Sequence, residues 1–367
     1  MLVTGVRVRD LRSYATADAA LGPGLNVVHG PNGAGKTNLL EAVYFGCTGR
    51  SCRTSNEREL IRFGADVARV ELDVQGDGGT HRLCAALPRA GAKRVAVDGQ
   101  PVDSLLDVAR RPLASVFIPD RLELIKGPPA LRRSHVDSLV AALWPARSGA
   151  RRDYVRVLAQ RNALLARVRT AGASTASLGA WDAELAACGV ALQAHRAEAI
   201  ASLAGPFSAH AARLGLRDGA ELAYRPRSGA ATAAELAAEL AARVESDLER
   251  GFTGHGPHRD EISLARGGRE LRVYGSQGEQ RLALLALLLA ERELLAERRG
   301  SPPLLLLDDV MSELDAERRE LLAGELTGRG QAVVTATELA HVPGATGTEA
   351  TRLAVGDGRV LSGARAA

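Results

Sequence analysis

The chain has 367 residues, 46% of them apolar and 25% charged, enough for one large domain with an insertion or for two domains, each with its own core. Its four cysteines, at 47, 52, 84 and 188, form no CxxC pair and have no His-rich neighbourhood, which argues against a zinc site and a disulfide framework. A formal net charge of +4 permits a nucleic-acid partner without requiring one.

The predicted elements begin with strands. LVTGVRV (2–8), LNVVHG (25–30), VARVELDVQ (67–75) and HRLCAAL (81–87) are followed by the pair KRVAV (93–97) and PVDSL (101–105) around Asp98-Gly99-Gln100. From about 131 to 250 the chain changes to Ala, Leu, Arg and Glu at helical spacing, broken by GASTASLG (172–179) and by Gly205-Pro206, with ELAYR (221–225) as a strand candidate. Strands return as EISLA (261–265), LLLLDD (304–309), QAVVTAT (331–337) and the hairpin RLAVGDGRVL (352–361), turned on Asp357-Gly358. An apolar helix over about 279–298 should be buried between these layers. The pattern predicts an α/β fold: a mixed sheet completed from both ends of the chain (1–130 and 251–367) around a helical insertion (131–250). Met1 leads into LVTGVRVRD without a charged-then-apolar signal pattern, and the longest apolar runs, such as LALLALLLA (282–290), are too short for a bilayer. A soluble, intracellular protein is expected.

One lysine stands out. Lysine occurs only at 36, 93 and 126, against 44 arginines. Lys36 lies in Gly30-Pro-Asn32-Gly33-Ala34-Gly35-Lys36-Thr37, which fits GxxxxGK[ST] between a buried-strand pattern and the helical pattern NLLEAVYF. Glycines let the loop curl until its N–H groups face a phosphate, and the helix N-terminus adds partial positive charge. Lysine brings a compact point charge to the β and γ phosphates, where an arginine fork is too wide. Gly30, Asn32, Gly33, Ala34, Gly35, Lys36, Thr37 and Asn38 are therefore candidate nucleotide ligands, with the Thr37 hydroxyl directed to Mg²⁺.

Two downstream segments supply matching chemistry. LLLLDD reads as a buried strand ending in two acids: Asp308 is the candidate Mg²⁺ ligand and Asp309 the candidate base that orients water. Its plainer reading is a loop followed by a helix cap at Ser312-x-x-Asp315. GSQGEQR (275–281) places Ser276 and Gly278 before the long apolar helix, like the signature motif of ABC-class ATPases, and Gly278 and Gln280 are further candidate nucleotide ligands. Ser276-x-x-Glu279 is also a capping box by spacing. Residues 131–170 hold nine arginines and two aspartates, a local excess of seven positive charges that fits phosphate contacts or a solvated helical face. Arg50, Arg53, Arg132, Arg133, Arg151 and Arg152 are the candidate contacts.

The order of these motifs resembles the heads of SMC-type repair ATPases, and within them the RecF family. The matching stretches include Arg12-Ser13-Tyr14, GPNGAGKTNLLEA, GRSCRT (49–54), FIPDRLELIKGPPALRR (117–133), Tyr154 with QRNALL (160–165), Trp181-Asp182, TGHGPHRDE (253–261), GSQGEQR and LLLLDDVMSELD (304–315). GPHRDE and QRNALL are peculiar to that family. The resemblance implies an ABC/SMC-type P-loop ATPase head. It implies a weak, DNA-dependent ATPase using ATP and Mg²⁺, which dimerises on double-stranded DNA near single-strand gaps and acts with RecR and RecO to help load RecA. Ser276 would then act as a catalytic residue facing the nucleotide of a second chain. It also implies a γ-phosphate sensor at Thr335 or Thr337, a Q-loop near Asp120, and a cytoplasmic, nucleoid-associated location. His258 and Arg259 are family-specific residues without a role that spacing can assign. Three rivals remain at this stage. A transporter ATPase subunit would not need so long an insertion. A long-armed SMC tether would need more reach than the about 85 Å that such a hairpin could span at 1.5 Å per residue. The third is a DNA-binding module that senses ATP without turnover.

Overall fold

The computed structural model describes residues 1–361 apart from 77, 109, 110 and 173. Ala173, inside the predicted interruption at 172–179, and residues 362–367 of the C-terminal lobe thus lie outside the described residues. The chain divides into two compact units, one of residues 1–121, 213–215 and 295–367, the other of 122–212 and 216–294.

Strands of the first unit start with β1 (Leu2–Leu11), β2 (Tyr14–Ala20) and β3 (Leu25–His29). Then follow β4 (Val67–Gly76), β5 (Gly79–Pro88), β6 (Arg94–Val97), β7 (Gln100–Val102) and β8 (Ala114–Phe117). The second unit contributes β9 (Ala220–Arg225), β10 (Glu261–Arg266) and β11 (Arg269–Glu270). The chain returns to the first with β12 (Leu304–Leu307), β13 (Ala332–Ala336), β14 (Thr351–Gly356) and β15 (Arg359–Leu361).

The expected mixed sheet is present, and a second, antiparallel sheet accompanies it in the first unit. One is antiparallel throughout, in the order β2-β1-β4-β5-β6-β7. Its strands alternate: Val6, Val8, Leu11, Ala68, Val70 and Leu72 are buried, while Arg9, next to Val8, and Arg69, between Ala68 and Val70, are exposed. The other has the order β15-β14-β3-β13-β12-β8 and is parallel except for β15. Parallel strands are covered on both faces, which is why LLLL and AVVTA are apolar without alternation. The helix Lys36–Thr48 touches strands of both sheets, and its Leu39, Leu40, Ala42, Val43 and Phe45 are buried. Both predicted Asp-Gly turns close two-residue hairpins with positive φ at each central residue, 51° and 82° at Asp98-Gly99 and 47° and 66° at Asp357-Gly358.

The second unit is mainly helical, with Pro129–Leu143, Ala150–Ala171 and Leu178–Arg213 as its long helices and the sheet β11-β10-β9 beside them. It reaches beyond the 131–250 insertion because β9 pairs with β10, which draws residues after 250 into the same unit. The break expected at Gly205-Pro206 is absent: the helix Leu178–Arg213 runs through Pro206. Leu203 and Phe207 are buried on either side, and that burial outweighs the one hydrogen bond proline removes. Leu282 to Ala290 are buried without interruption, as the apolar run requires. No helix among the described residues is long and apolar enough to cross a membrane.

QRNALL and TGHGPHRDE meet inside this unit. Arg161 of QRNALL is 0% exposed and donates to Asp182 at 2.6 Å, Asp247 at 2.7 Å and the Thr253 hydroxyl at 2.8 Å. Asn162 accepts from the Thr253 amide and hydroxyl at 2.8 and 2.7 Å. Buried charge is tolerable only when paired in this way, and removing one partner of such a group costs about 3–5 kcal/mol. Arg196 bridges Asp137 at 2.7 and 2.9 Å and also donates to the Pro257 carbonyl at 2.8 Å, which ties the 257–260 turn to two helices.

His258 belongs to the same network. Its Nε2 donates to the Thr253 carbonyl at 2.9 Å, which leaves Nδ1 to accept from the Tyr154 hydroxyl at 2.7 Å. Burial pushes its pKa down to about 4, so the neutral ring is the folded form. The unfolded chain, with a histidine pKa near 6.5, takes up the proton first. Stability from this group is complete above about pH 6.5 and is lost as pH falls toward 4. Urea unfolding between pH 7 and 4.5 should therefore show a smaller acid loss for His258→Gln than for the parent, whereas parallel curves would remove His258 from the acid sensitivity.

Candidate nucleotide site

The parallel sheet creates the site. β3, β12 and β13 run in the same direction, with Leu307 opposite Val334 and His29 opposite Ala336. Whatever follows β3 and β12 therefore emerges at one edge, the usual place for a ligand in an open α/β sheet. From β3 the chain enters 30–35 and then the helix Lys36–Thr48. Gly35 holds φ 112°, and a side chain there would lie 3.0 Å from the Ser13 Oγ and the Tyr14 hydroxyl. Tyr14 in turn donates to the Gly35 carbonyl at 2.9 Å, so the turn at Arg12-Ser13-Tyr14 braces the loop.

Asp308 is the electrostatic centre. Thr37 Oγ1 lies 2.9 Å from both its carboxylate oxygens, and Thr335 Oγ1 donates to Oδ1 at 2.8 Å. Burial raises the Asp308 pKa, and the two threonine hydrogen bonds oppose that rise. The Thr335 hydroxyl also accepts from the Asp309 amide at 2.8 Å. Asp309 holds φ 49°, and its Oδ1 is buried with no hydrogen-bond partner. Lys36 folds back over the loop, its Nζ 2.8 Å from the Gly30 carbonyl and 3.0 Å from that of Pro31.

These groups line one pocket of about 170 Å³, together with Asn32, Gly33, Asn38 and Arg53. A hydroxyl and a carboxylate side by side form the hard oxygen pair suited to Mg²⁺ shared with phosphates. The residues therefore fit a magnesium nucleotide. Ala34 is buried and contributes through its backbone, its carbonyl accepting from Gly358 N at 3.3 Å. Of the two sensor positions, Thr335 lines the pocket and Thr337 does not; the Thr337 hydroxyl lies 3.4 Å from His341 Nδ1 instead. Asp120 is exposed just beyond β8.

Arg53, one of the six candidate DNA contacts, lines the nucleotide pocket. Its charge, like the two threonine hydrogen bonds, opposes the rise in the Asp308 pKa. Its Nη1 donates to Asn38 at 3.2 Å and to Glu41 at 3.4 Å. Glu41, 0% exposed on the P-loop helix, also receives Arg12 at 3.0 and 3.2 Å and Ser51 at 2.5 Å. Glu41 thus joins Arg12-Ser13-Tyr14 and GRSCRT to the P-loop helix through the glutamate of NLLEA.

Two more of the six arginines are redirected. Arg132 is buried, spans Glu261 at 2.9 and 3.1 Å and caps the carbonyls of Ile125 and Gly127, so it has no free face for a phosphate. Arg133 is half-buried and donates to the Asp260 carbonyl at 2.7 Å. Arg50, Arg151 and Arg152 are exposed, with Arg151 bonded to Ser134 at 2.9 Å.

The signature segment lies in the second unit. Ser276 and Glu279 form the capping box at the start of the helix Gln277–Arg299, with amide contacts of 2.8 and 3.3 Å, and Arg266 pairs with Glu279. Ser276 and Gly278 are exposed, whereas Gln280 is buried with its amide on the carbonyls of Leu271 and Gly275, at 2.9 and 3.2 Å. Gln280 is thus a brace for the segment, and its amide is not free for a ligand. Val273 and Tyr274, just upstream, are 61% and 69% exposed.

The family model for the RecF/RecN/SMC N-terminal domain matches residues 2–351. The DNA replication and repair protein RecF of Anaeromyxobacter sp. (strain K) is 41% identical over 362 residues, covering 95% of this chain and 96% of that protein. The protein of the same name from Myxococcus xanthus (strain DK1622) is 38% identical over 371 residues, covering 98% and 97%. Among solved structures, the recombination mediator protein RecF with ATP in the RecFOR pathway superposes with a TM-score of 0.86 at 28% identity, covering 98% of this chain and 96% of that one. The Smc head of Pyrococcus furiosus, 16% identical with a TM-score of 0.58 and coverage of 99% and 95%, shares the fold. With a full-length match in both sequence and structure, the chain belongs to the RecF family.

Proposed function

We propose that the protein is an ATP-dependent DNA clamp of replication and repair: it binds ATP, dimerises on double-stranded DNA near single-strand gaps, hydrolyses ATP slowly, and works with RecR and RecO to help load RecA. The observation that carries this reading is the Thr37–Asp308–Thr335 cluster beside Lys36 and the unpartnered Asp309 Oδ1. The names of the relatives support the repair role, and the ATP-bound neighbour supports the nucleotide.

Each residue has a task in that reading. The 30–35 loop and the helix N-terminus bind the phosphates, and Lys36 exchanges its backbone carbonyls for phosphate oxygens. Thr37 and Asp308 would hold Mg²⁺, whose charge offsets that of the phosphates as the bond to the leaving oxygen breaks. Asp309 accepts a proton from the attacking water through its free oxygen as the water oxygen bonds to the terminal phosphorus and ADP departs. Arg53, steered by Asn38 and Glu41, binds the terminal phosphate, and Thr335 fixes both acids.

The signature carries the second half. Ser276, Gly278 and a helix N-terminus exposed together form a phosphate-facing surface offered to another chain. Val273 and Tyr274, apolar and uncovered beside it, fit burial in the ATP-bound dimer. DNA is bound through its backbone, since aromatic residues make up only 3% of the chain and few are available to stack on bases.

Two variants test the chemistry. Lys36→Arg should lose roughly 10- to 100-fold in ATP affinity, the worth of a charged hydrogen bond of about 1.5–3 kcal/mol, and unchanged binding by calorimetry would undo the role of the lysine. Asp309→Asn should keep ATP and duplex binding while its turnover falls by roughly 10²- to 10⁴-fold, leaving long-lived complexes in excess ATP. Phosphate release at the parent rate would take the base role away from Asp309.

A further inference from the structure

The outward face of the antiparallel sheet carries a second open site. Arg7 and Arg9 on β1 face away from the core, and strand register places Thr16 and Arg69 beside Arg9, and Asp18 and Glu71 beside Arg7. This face belongs to an open groove of about 880 Å³, which is also lined by Arg62 and by Asp357, Gly358 and Arg359 of the β14–β15 hairpin.

Five arginines and three carboxylates line it, two further acids, Asp73 and Asp10, pair with arginines of the lining, and the arginines are not equivalent. Arg7 is committed to Asp73 at 2.9 Å and Glu71 at 3.4 Å, Arg69 to Glu71 at 2.7 Å, and Arg62 lies 3.6 Å from Asp10. Arg9 and Arg359 are exposed, and their side chains make no hydrogen bond or ion pair among the described residues. The lining includes no aromatic side chain, and its apolar members are alanines and valines. Protein interfaces are anchored by aromatic and large apolar side chains, whereas contacts to a nucleic-acid backbone are made by basic and hydroxyl side chains of the kind this lining holds in Arg9, Arg359, Ser13 and Thr16.

The groove is also tied to the nucleotide loop. Asn38 on the P-loop helix donates to Ser13 Oγ at 2.9 Å, and Gly358 N donates to the Ala34 carbonyl at 3.3 Å. Gly358 approaches so closely that a side chain there would meet the Ser13 carbonyl at 2.6 Å. Arg359 therefore rides on a hairpin seated directly against the loop that binds phosphate.

We propose that this groove holds the sugar-phosphate backbone of duplex DNA, with Arg9 and Arg359 as the side chains that contact phosphate. The inference rests on the DNA-binding reading above and gives it a surface outside the arginines of residues 131–170.

The double variant Arg9→Ala/Arg359→Ala tests it, in the full chain with ATP and a short duplex, by affinity measured across about 50–200 mM salt. Each lost phosphate contact removes about 0.9 from the slope of log affinity against log salt, so the slope should fall by about 1.8 while ATP affinity is unchanged. A parent protein that fails to bind duplex would overturn the DNA reading and the groove with it. A parent that binds, with a variant equal to it in slope and affinity, would overturn the groove alone. The groove assignment also fails if the variant loses ATP affinity, or if it binds duplex normally and loses a protein partner instead.

Discussion

Asp308 is the constraint around which the first unit is arranged. A carboxylate at the end of a fully buried strand is costly unless it is paired, and here two threonine hydroxyls from two other elements supply the pairing. Those elements meet only because β3, β12 and β13 are parallel and in register, so that a loop, an acid and a threonine emerge at one edge. The helix Lys36–Thr48 then fills the space between the sheets with Leu39, Leu40, Val43 and Phe45, and the same helix offers Glu41 to Arg12 and Arg53. Core and site share one helix.

The second unit rests on a different principle. Its family-specific segments, from QRNALL to GPHRDE, are far apart in sequence and converge on buried ion pairs and a neutral histidine. The network ties the helices Pro129–Leu143, Ala150–Ala171 and Leu178–Arg213 to residues 253–261. Residue types that suggest catalysis or DNA contact at first sight, His258, Arg132 and Arg161 among them, hold the interior in place.

Much of this was legible in the sequence because local signals are strong where chemistry is strict. GPNGAGKT and LLLLDD fix loop, strand and acid by residue type alone, and Asp98-Gly99 and Asp357-Gly358 fix two hairpins by their positive φ. What escaped the sequence depended on distant partners. β2, with YATADAA, has few strand formers and exists because it pairs with β1; β8 is four residues long and exists because it pairs with β12. Arg53 and Arg132 read as surface charge because their acids, Glu41 and Glu261, lie 12 and 129 positions away. The helix through Pro206 shows tertiary burial overriding a local breaker.

The central claim is that the pocket around Lys36, Asp308 and Asp309 is half of a catalytic site, and that the exposed segment at Ser276 is the other half, presented to a second copy. Sedimentation of the full chain with a short duplex, in ATP, in ADP and without nucleotide, measures this directly. The account predicts a dimer on the duplex in ATP alone. A monomer in ATP, or the same dimer under all three conditions, would contradict it.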